Sequence, residues 1–290
     1  MNKRTRCAER IHQKIYLLKC PICGKSLRVV EQKSLICAQK HTFDLAKQGY
    51  VNLSTKQVHT HYGKTLFEAR RKIIVDHGFF NPLIHILSEQ IGKQLNLPTD
   101  ISILDLGCGE GSHLAKICQM LIHDASRSVT GCGIDIAKEG IQLASKYYPE
   151  QIWLVGDLAQ PPFKERQFNL ILNILSPSNY QTFDQMVKPG GYVIKVIPGS
   201  GYLKELRSSI YEHDKAQYSN ADTRTLFTEH FPDTITQNIH YVAHLNREGI
   251  RDLIRMTPLA WNVSEEKRTQ WLEKESADIT CEFELLIGKG

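Results

Sequence analysis

An α/β protein built on a doubly wound, mostly parallel sheet, with a small metal-stapled module in front, is predicted by three observations. An apolar run from Ile101 to Leu106 stops in the glycine-rich turn LGCGEGS, ahead of a helix-like segment from His113 to Ile122. Strand-like and helix-like segments then alternate to the end of the chain. Near the N-terminus, Cys20, Cys23, Cys37 and His41 are spaced C-x2-C, thirteen residues, C-x3-H.

Strand, tight turn and helix in succession point backbone N–H groups and a helix N-terminus at a ligand. Gly107, Gly109 and Gly111 are spaced G-x-G-x-G, whereas a dinucleotide fingerprint needs its third glycine where this chain has Ser112. Asp105, two residues before the first glycine, is placed to accept a hydrogen bond from a ligand amine. A pyrophosphate would be repelled there and a cationic amino-acid group would not. The turn therefore favours S-adenosylmethionine; a doubly wound domain holding another nucleotide, or none, stays open.

The next strand, Val129 to Ile134, ends at Asp135, twenty-four residues beyond Gly111. A carboxylate there is positioned to take both hydroxyls of a ribose. A helix from Lys138 to Tyr148 leads to strand Ile152 to Val155 and then to Asp157, expected to accept from an adenine amino group. Either aspartate alone is equally a helix cap. At successive strand tips behind a glycine turn, Asp105, Asp135 and Asp157 form one constellation.

Phe168 to Leu172 reads as a fourth strand, and its tip, Asn173 to Ser178, lies where a doubly wound sheet places chemistry. Asn173 is predicted to wall a substrate base there, an ordinary polar loop being the alternative. Lys188-Pro189-Gly190-Gly191 reads as a turn feeding strand Tyr192 to Ile197. Pro198 to Tyr202 then enters a helix from Leu203 to His213. A strand near Ile239 to Val242, a helix from Arg247 to Arg255, the segment Met256 to Trp261, another helix and a final strand from Ile279 to Ile287 complete the series. Seven strands with interleaved helices fit a Rossmann-like class I methyltransferase sheet, its last strand antiparallel.

Upstream, three thiolates and one imidazole make a closed tetrahedral set suited to structural zinc, the alternatives being chance spacing, a redox C-x-x-C, or a surface His41 that leaves the site incomplete. Such binding contributes on the order of 10 kcal/mol, enough to fold some 30 residues that lack a core of their own. Residues 1–53 are therefore expected to form a zinc-binding, RNA-recognising module with a basic tail. Residues 54–76 read as a linker, with His59 and His61, and a connecting helix opened by Arg70-Arg71-Lys72. Residues 77–290 read as the methyltransferase domain, after a break at His77 to Pro82 and a helix from Leu83 to about Leu95. Residues 1–75 hold sixteen Lys/Arg against four Asp/Glu, a charge of +12 in a chain whose net charge is +5, so the remainder carries −7. A basic front beside an acidic body suits a grip on a phosphate backbone ahead of a small-molecule site, solvated surface being the bland alternative. No uncharged apolar run is long enough to span a membrane, and the start Met-Asn-Lys-Arg has no apolar h-region. A cytoplasmic protein with no disulfide framework is the expectation.

The C-P-x-C…C-x3-H module, the F-D-x-A-K-x-G-Y-V-N-L stretch after it, the L-D-x-G-C-G-E-G turn, the K-P-G-G turn and M-T-P-x-A-W together resemble the RlmA-type 23S rRNA (guanine-N1)-methyltransferases over nearly the whole chain. The resemblance implies methyl transfer from S-adenosylmethionine to N1 of a guanine in a 23S rRNA hairpin, with Cys20, Cys23, Cys37 and His41 on zinc. It implies cofactor contacts at Phe80, Gly109, Glu110 and Tyr202, the last standing where the family has histidine. It also implies a homodimer forming an RNA cleft. Some family members are linked to macrolide resistance. The target base must leave its stack, with Phe79, Phe80 or Tyr202 as stacking candidates. Three other classes compete: a methyltransferase for a small metabolite or quinone, a non-catalytic zinc RNA-binding protein, and a nicotinamide oxidoreductase.

Overall fold

The computed structural model describes residues 1–56, 62–125, 127–210, 220–261 and 264–290; the connector histidines His59 and His61 lie outside them. The front of the chain comprises α1 (Lys3–Gln13), β1 (Leu27–Val30), β2 (Ser34–Cys37), β3 (Thr42–Asp44) and β4 (Val51–Asn52). Then follow α2 (Lys64–Val75), α3 (Asn81–Glu89), β5 (Asp100–Leu106), α4 (Ser112–Ala125), β6 (Ser128–Asp135), α5 (Lys138–Tyr147) and β7 (Ile152–Val155). The second half holds β8 (Phe168–Ile174), α6 (Tyr180–Met186), β9 (Val187–Pro198), α7 (Lys204–Ile210), α8 (Ala221–His230), β10 (Ile235–Asn246), α9 (Arg247–Met256), α10 (Glu265–Leu272) and β11 (Ser276–Lys289).

The main sheet has the order β10-β11-β9-β8-β5-β6-β7-β4. Strands β4 to β9 in this sheet run parallel, and β11 is antiparallel to both of its neighbours. Seven of the eight strands are those the sequence predicts. The eighth, β4, comes from the front of the chain and pairs with β7 through Val51↔Leu154. K-P-G-G is not a free turn. It lies within β9, tied to the C-terminus by Gly190 N–H to Gly290 O at 2.9 Å and Gly290 N–H to Gly191 O at 2.9 Å.

Alternation along each strand divides the core between two faces. In β5, Ile101 and Ile103 join one cluster with Trp153, Phe80, Leu172, Ile194 and Phe283. Leu104 and Leu106 join another with Phe163, Phe168, Phe183 and Phe227. The second cluster also takes in Ala8, Ile11, Leu17, Leu18, Leu35 and Leu45. The front module is therefore not a separate bead. Its apolar residues share the core under the sheet, and Lys19 N–H donates to Pro162 O at 3.0 Å.

Two expected boundaries change accordingly. Residues 1–53 do not close a self-contained unit, because β4 is a strand of the main sheet. The connecting helix expected within residues 54–76 opens at Lys64 instead of Arg70, and α2 buries Phe67, Ala69, Ile73 and Ile74. The basic tail is helix α1, capped by the Asn2 side chain accepting from Thr5 N–H at 2.9 Å.

Candidate active site and metal cluster

The first knuckle is a tight loop: Gly24 N–H returns to Cys20 O at 2.8 Å, and Cys20 N–H donates to Lys25 O at 2.8 Å. The second follows β2, where Lys40, with φ +63°, lets its N–H reach Cys37 O at 2.9 Å. The β1–β2 register sets Leu27 opposite Cys37 and brings the knuckles face to face. All four candidate ligand atoms of Cys20, Cys23, Cys37 and His41 lie within 4.8 Å of one another. Cys23 Sγ is 3.7 Å from Cys37 Sγ, while His41 Nδ1 is 3.5 Å from Cys20 Sγ and 3.4 Å from Cys37 Sγ. A tetrahedron with Zn–S of ~2.3 Å and Zn–N of ~2.0 Å has edges of about 3.8 and 3.5 Å. The observed spacings are those edges, so the donor set fits zinc, with no position left open for a catalytic water.

At the carboxyl ends of the sheet, β5 delivers Asp105 on the same face as Ile103, and the chain turns at Gly107, φ +85°. An added Cβ there would stand 1.9 Å from Ser176 Oγ, so the β8 loop seats directly on this glycine. Asp135, at the end of β6, accepts from Gly109 N–H and from Ala137 N–H, each at 2.8 Å. Gly156 N–H donates to Asp135 O at 3.0 Å, which sets Asp157 beside it at the next strand end. The Asp157 side chain accepts from Ala159 N–H at 2.9 Å.

Burial, and after it the neighbouring Asp135 and Glu110 carboxylates, raise the cost of ionising Asp105, and Arg70 of α2, 3.7 Å from Glu110 Oε1, is the counter-ion to all three. Burial pushes both the Asp105 and the Glu110 carboxyls up to about 7, with Arg70 pulling them down. Glu110 Oε2 is buried without a partner among the described residues. Once ionised, the three carboxylates outnumber the Arg70 guanidinium, and this donor set fits the sulfonium and ammonium of S-adenosylmethionine.

The linkage has a definite sign. With folded-state pKa values near 7 and ordinary unfolded values, native Asp105 and Glu110 hold protons that the unfolded chain has released. Their contribution to stability is present at low pH and is lost as pH rises through about 7. Urea unfolding of the cofactor-free protein should therefore show a higher midpoint at pH 6 than at pH 8, while affinity for S-adenosylmethionine rises over the same interval. Affinity that is flat across this range would separate these carboxyls from the cationic ligand.

Beside the turn, a cavity of about 600 Å³ is lined by Phe80, Ser176, Pro177, Lys195, Tyr202 and Pro258 among others. Arg70 lines it too, so the cavity adjoins the carboxylate cluster. Phe80 and Tyr202 thus meet at one site, Tyr202 resting on Phe283 with ring centroids 5.0 Å apart. Phe79 does not line it; it is 1% exposed, and its carbonyl accepts from the Tyr241 hydroxyl at 3.0 Å. Asn173 is likewise set behind the wall rather than on it. Fully buried, it donates through Nδ2 to Leu106 O at 2.9 Å and Pro177 O at 3.0 Å, and accepts at Oδ1 from Lys195 Nζ at 2.6 Å. Its amide is spent on bracing the β8 loop, so the expected direct contact with a base is replaced by a positioning role.

Arg70 and Lys195 were not among the sequence candidates. Lys195 carried a signal, a lone charge inside the apolar strand YVIKVI. Arg70 carried none, being one of three consecutive basic residues.

Comparison with known proteins gives two family matches: residues 18–57 match the family described as "RlmA, N-terminal", and residues 103–191 match one described as "Methyltransferase domain". The chain is 42% identical, over 94% of its length and 96% of the relative's, to YxjB of Bacillus subtilis (strain 168), provisionally named a 23S rRNA (guanine-N(1)-)-methyltransferase. It is 25% identical, over 84% of its length and 86% of the relative's, to the 23S rRNA (guanine(748)-N(1))-methyltransferase of Streptomyces fradiae. Among solved structures, phosphoethanolamine N-methyltransferase 2 of Haemonchus contortus superposes with TM-score 0.50 at 15% identity, covering 79% of this chain and 58% of that one, a likeness of fold alone.

Proposed function

The chain belongs to the RlmA-type 23S rRNA (guanine-N1)-methyltransferase family, and from that membership we propose that it methylates N1 of a guanine in a 23S rRNA hairpin. The methyl donor is S-adenosylmethionine, which supplies an electrophilic methyl group on a sulfonium. Asp105, Glu110 and the turn Gly107, Gly109 and Gly111 receive its amino-acid end, Asp135 its ribose and Asp157 its adenine. Phe80 and Tyr202 flank the point where donor and target base meet. Cys20, Cys23, Cys37 and His41 hold a structural zinc ion, and the basic front of the chain grips the RNA backbone. A homodimer forms the RNA cleft, and the protein acts in the cytoplasm; no described helix is long and apolar enough to cross a membrane.

One observation carries this reading: an apolar cavity large enough for a purine opens beside a carboxylate-ringed glycine turn, in a chain whose first 53 residues include a Cys3His cluster built into the same core. A methyltransferase for a small metabolite needs the turn but not the basic, metal-stapled front. Chemistry here depends on alignment, since holding a nucleophile in line about 3 Å from the methyl carbon accounts for much of the acceleration.

The test is tritiated S-adenosylmethionine offered bare 23S rRNA, assembled large subunits and a small-metabolite pool. Label should enter RNA, with a reverse-transcription stop at one guanine, because a methyl on N1 blocks pairing. Label arriving only in small molecules would remove the rRNA reading.

A further inference from the structure

Methylation at N1 requires removal of the proton that guanine carries there. Among the described residues lining the cavity there is no Asp, Glu or His. Its ionisable groups are Arg70, Arg207, Tyr180, Tyr202 and Lys195. The guanidiniums stay protonated at any working pH. Burial pushes both tyrosine hydroxyls above their ordinary range, so they remain neutral.

Lys195 is different in kind. It is 3% exposed, yet it lines the cavity from β9, and its Nζ donates to Asn173 Oδ1 at 2.6 Å and to Ser176 O at 3.2 Å. Both acceptors are neutral. Asn173 is held in orientation by its bonds to Leu106 O and Pro177 O. No carboxylate pairs with Lys195 among the described residues. A neutral amine in this seat uses both N–H bonds on these two oxygens, which leaves its lone pair directed away from them.

We propose that Lys195 is the group that takes the N1 proton of the target guanine, with Asn173 and the Ser176 carbonyl as positioning groups. The inference rests on the guanine-N1 reading. In the step, the N1–H bond breaks toward Lys195 Nζ, and the electron pair left on N1 forms the bond to the methyl carbon. The carbon–sulfur bond breaks with its pair going to sulfur, leaving a neutral thioether. The proton now on Nζ turns the amine into an ammonium, donates toward the base edge and passes to water after release. Charge is conserved, one sulfonium being replaced by one ammonium.

The surroundings favour the neutral amine. Burial lowers Lys195 to about 8, where a lysine base functions near neutral pH. Arg70 and Arg207 are the other charged groups on the same lining, Asn173 faces Lys195 from β8, and its register partner on β11 is the apolar Leu286. Because only the amine accepts a proton, the rate of methyl transfer rises about tenfold per pH unit below about 8 and levels off above it.

Single-turnover methylation of a 23S rRNA hairpin, with saturating S-adenosylmethionine, tests this from pH 6 to 9.5. Wild type is expected to show the rise and plateau. Lys195→Met should lower the rate about 10²- to 10⁴-fold and flatten the profile, with affinity for S-adenosylhomocysteine kept within about 2-fold. Lys195→Arg, which keeps the charge but cannot act as a base, should be equally slow. Lys195→Ala should regain rate in added ethylamine, in proportion to the neutral amine. A wild-type rate in Lys195→Arg, or an unchanged pH profile in Lys195→Met, would overturn the assignment and leave the rRNA reading intact. A wild-type protein that labels no 23S hairpin would overturn both.

Discussion

Removing the metal from Cys20, Cys23, Cys37 and His41 is expected to destabilise the whole protein, not only its first 53 residues. The strands between and beside the ligands span four, four and three residues, too short to stand without a staple. Zinc in such modules contributes on the order of 10 kcal/mol, comparable to the total stability of an ordinary domain. Leu17, Leu18, Leu35 and Leu45 share one core with Leu104, Ile134 and Phe163 under the sheet, so unfolding the module uncovers that face and releases β4 from β7. Purified protein should contain one zinc per chain. Chelation, or Cys37→Ser, should lower the thermal midpoint by about 8 °C or more and open residues 18–57 to protease, because about 5 kcal/mol, at about 2.1 cal/mol/K of unfolding entropy per residue, corresponds to about 8 °C in a chain of 290 residues. A chelated protein with an unchanged midpoint would show that the cluster is not a structural metal site.

Gly111→Ala should abolish cofactor binding, with a smaller loss of stability. Gly111 has φ +82°, and an added Cβ would lie 2.4 Å from Trp153 Cη2 and 2.9 Å from Ala144 Cβ. Trp153 has nowhere to go, being fully buried with its indole N–H on Tyr148 O at 2.7 Å. The start of α4 must instead move away from β7, carrying the N–H groups of the turn with it. The left-handed backbone costs about 1–2 kcal/mol and the overpacking about 1–3 kcal/mol, for a total near ~3 kcal/mol. Gly190→Ala is the control: its φ is +76°, but nothing lies within 4 Å of the added Cβ. It should lose only the backbone contribution, about 1 kcal/mol, and bind S-adenosylhomocysteine normally. Calorimetry should find no binding by Gly111→Ala at concentrations a hundredfold above the wild-type Kd. Retained affinity would mean that the turn tolerates displacement and does not set the cofactor's position.

The elements legible in the sequence are those with a strong local pattern. Runs such as ISILDL and NLILNI are buried on both faces and read directly as inner strands. Edge strands are harder to see. In β10 only Ile239 and Leu245 are buried, so a twelve-residue strand has just two buried positions, six residues apart, to mark it. Helix α1 buries Cys7, Ala8 and Ile11, three apolar positions among basic ones, and α8 buries only Phe227. Neither carries a helical period strong enough to mark its ends.

The strand–turn–helix around Gly107 to Gly111, the aspartates at successive strand ends and the Cys/His spacing of the metal cluster are all written in the chain. Each is short-range chemistry, in which the identity and spacing of a few neighbours already imply the geometry. Folding in three dimensions alone sets Arg70 beside Glu110, spends the Asn173 amide on bracing a loop, and puts Lys195 on the cavity lining. These placements join segments 22 to 67 residues apart through sheet register and core packing, and no local pattern encodes them.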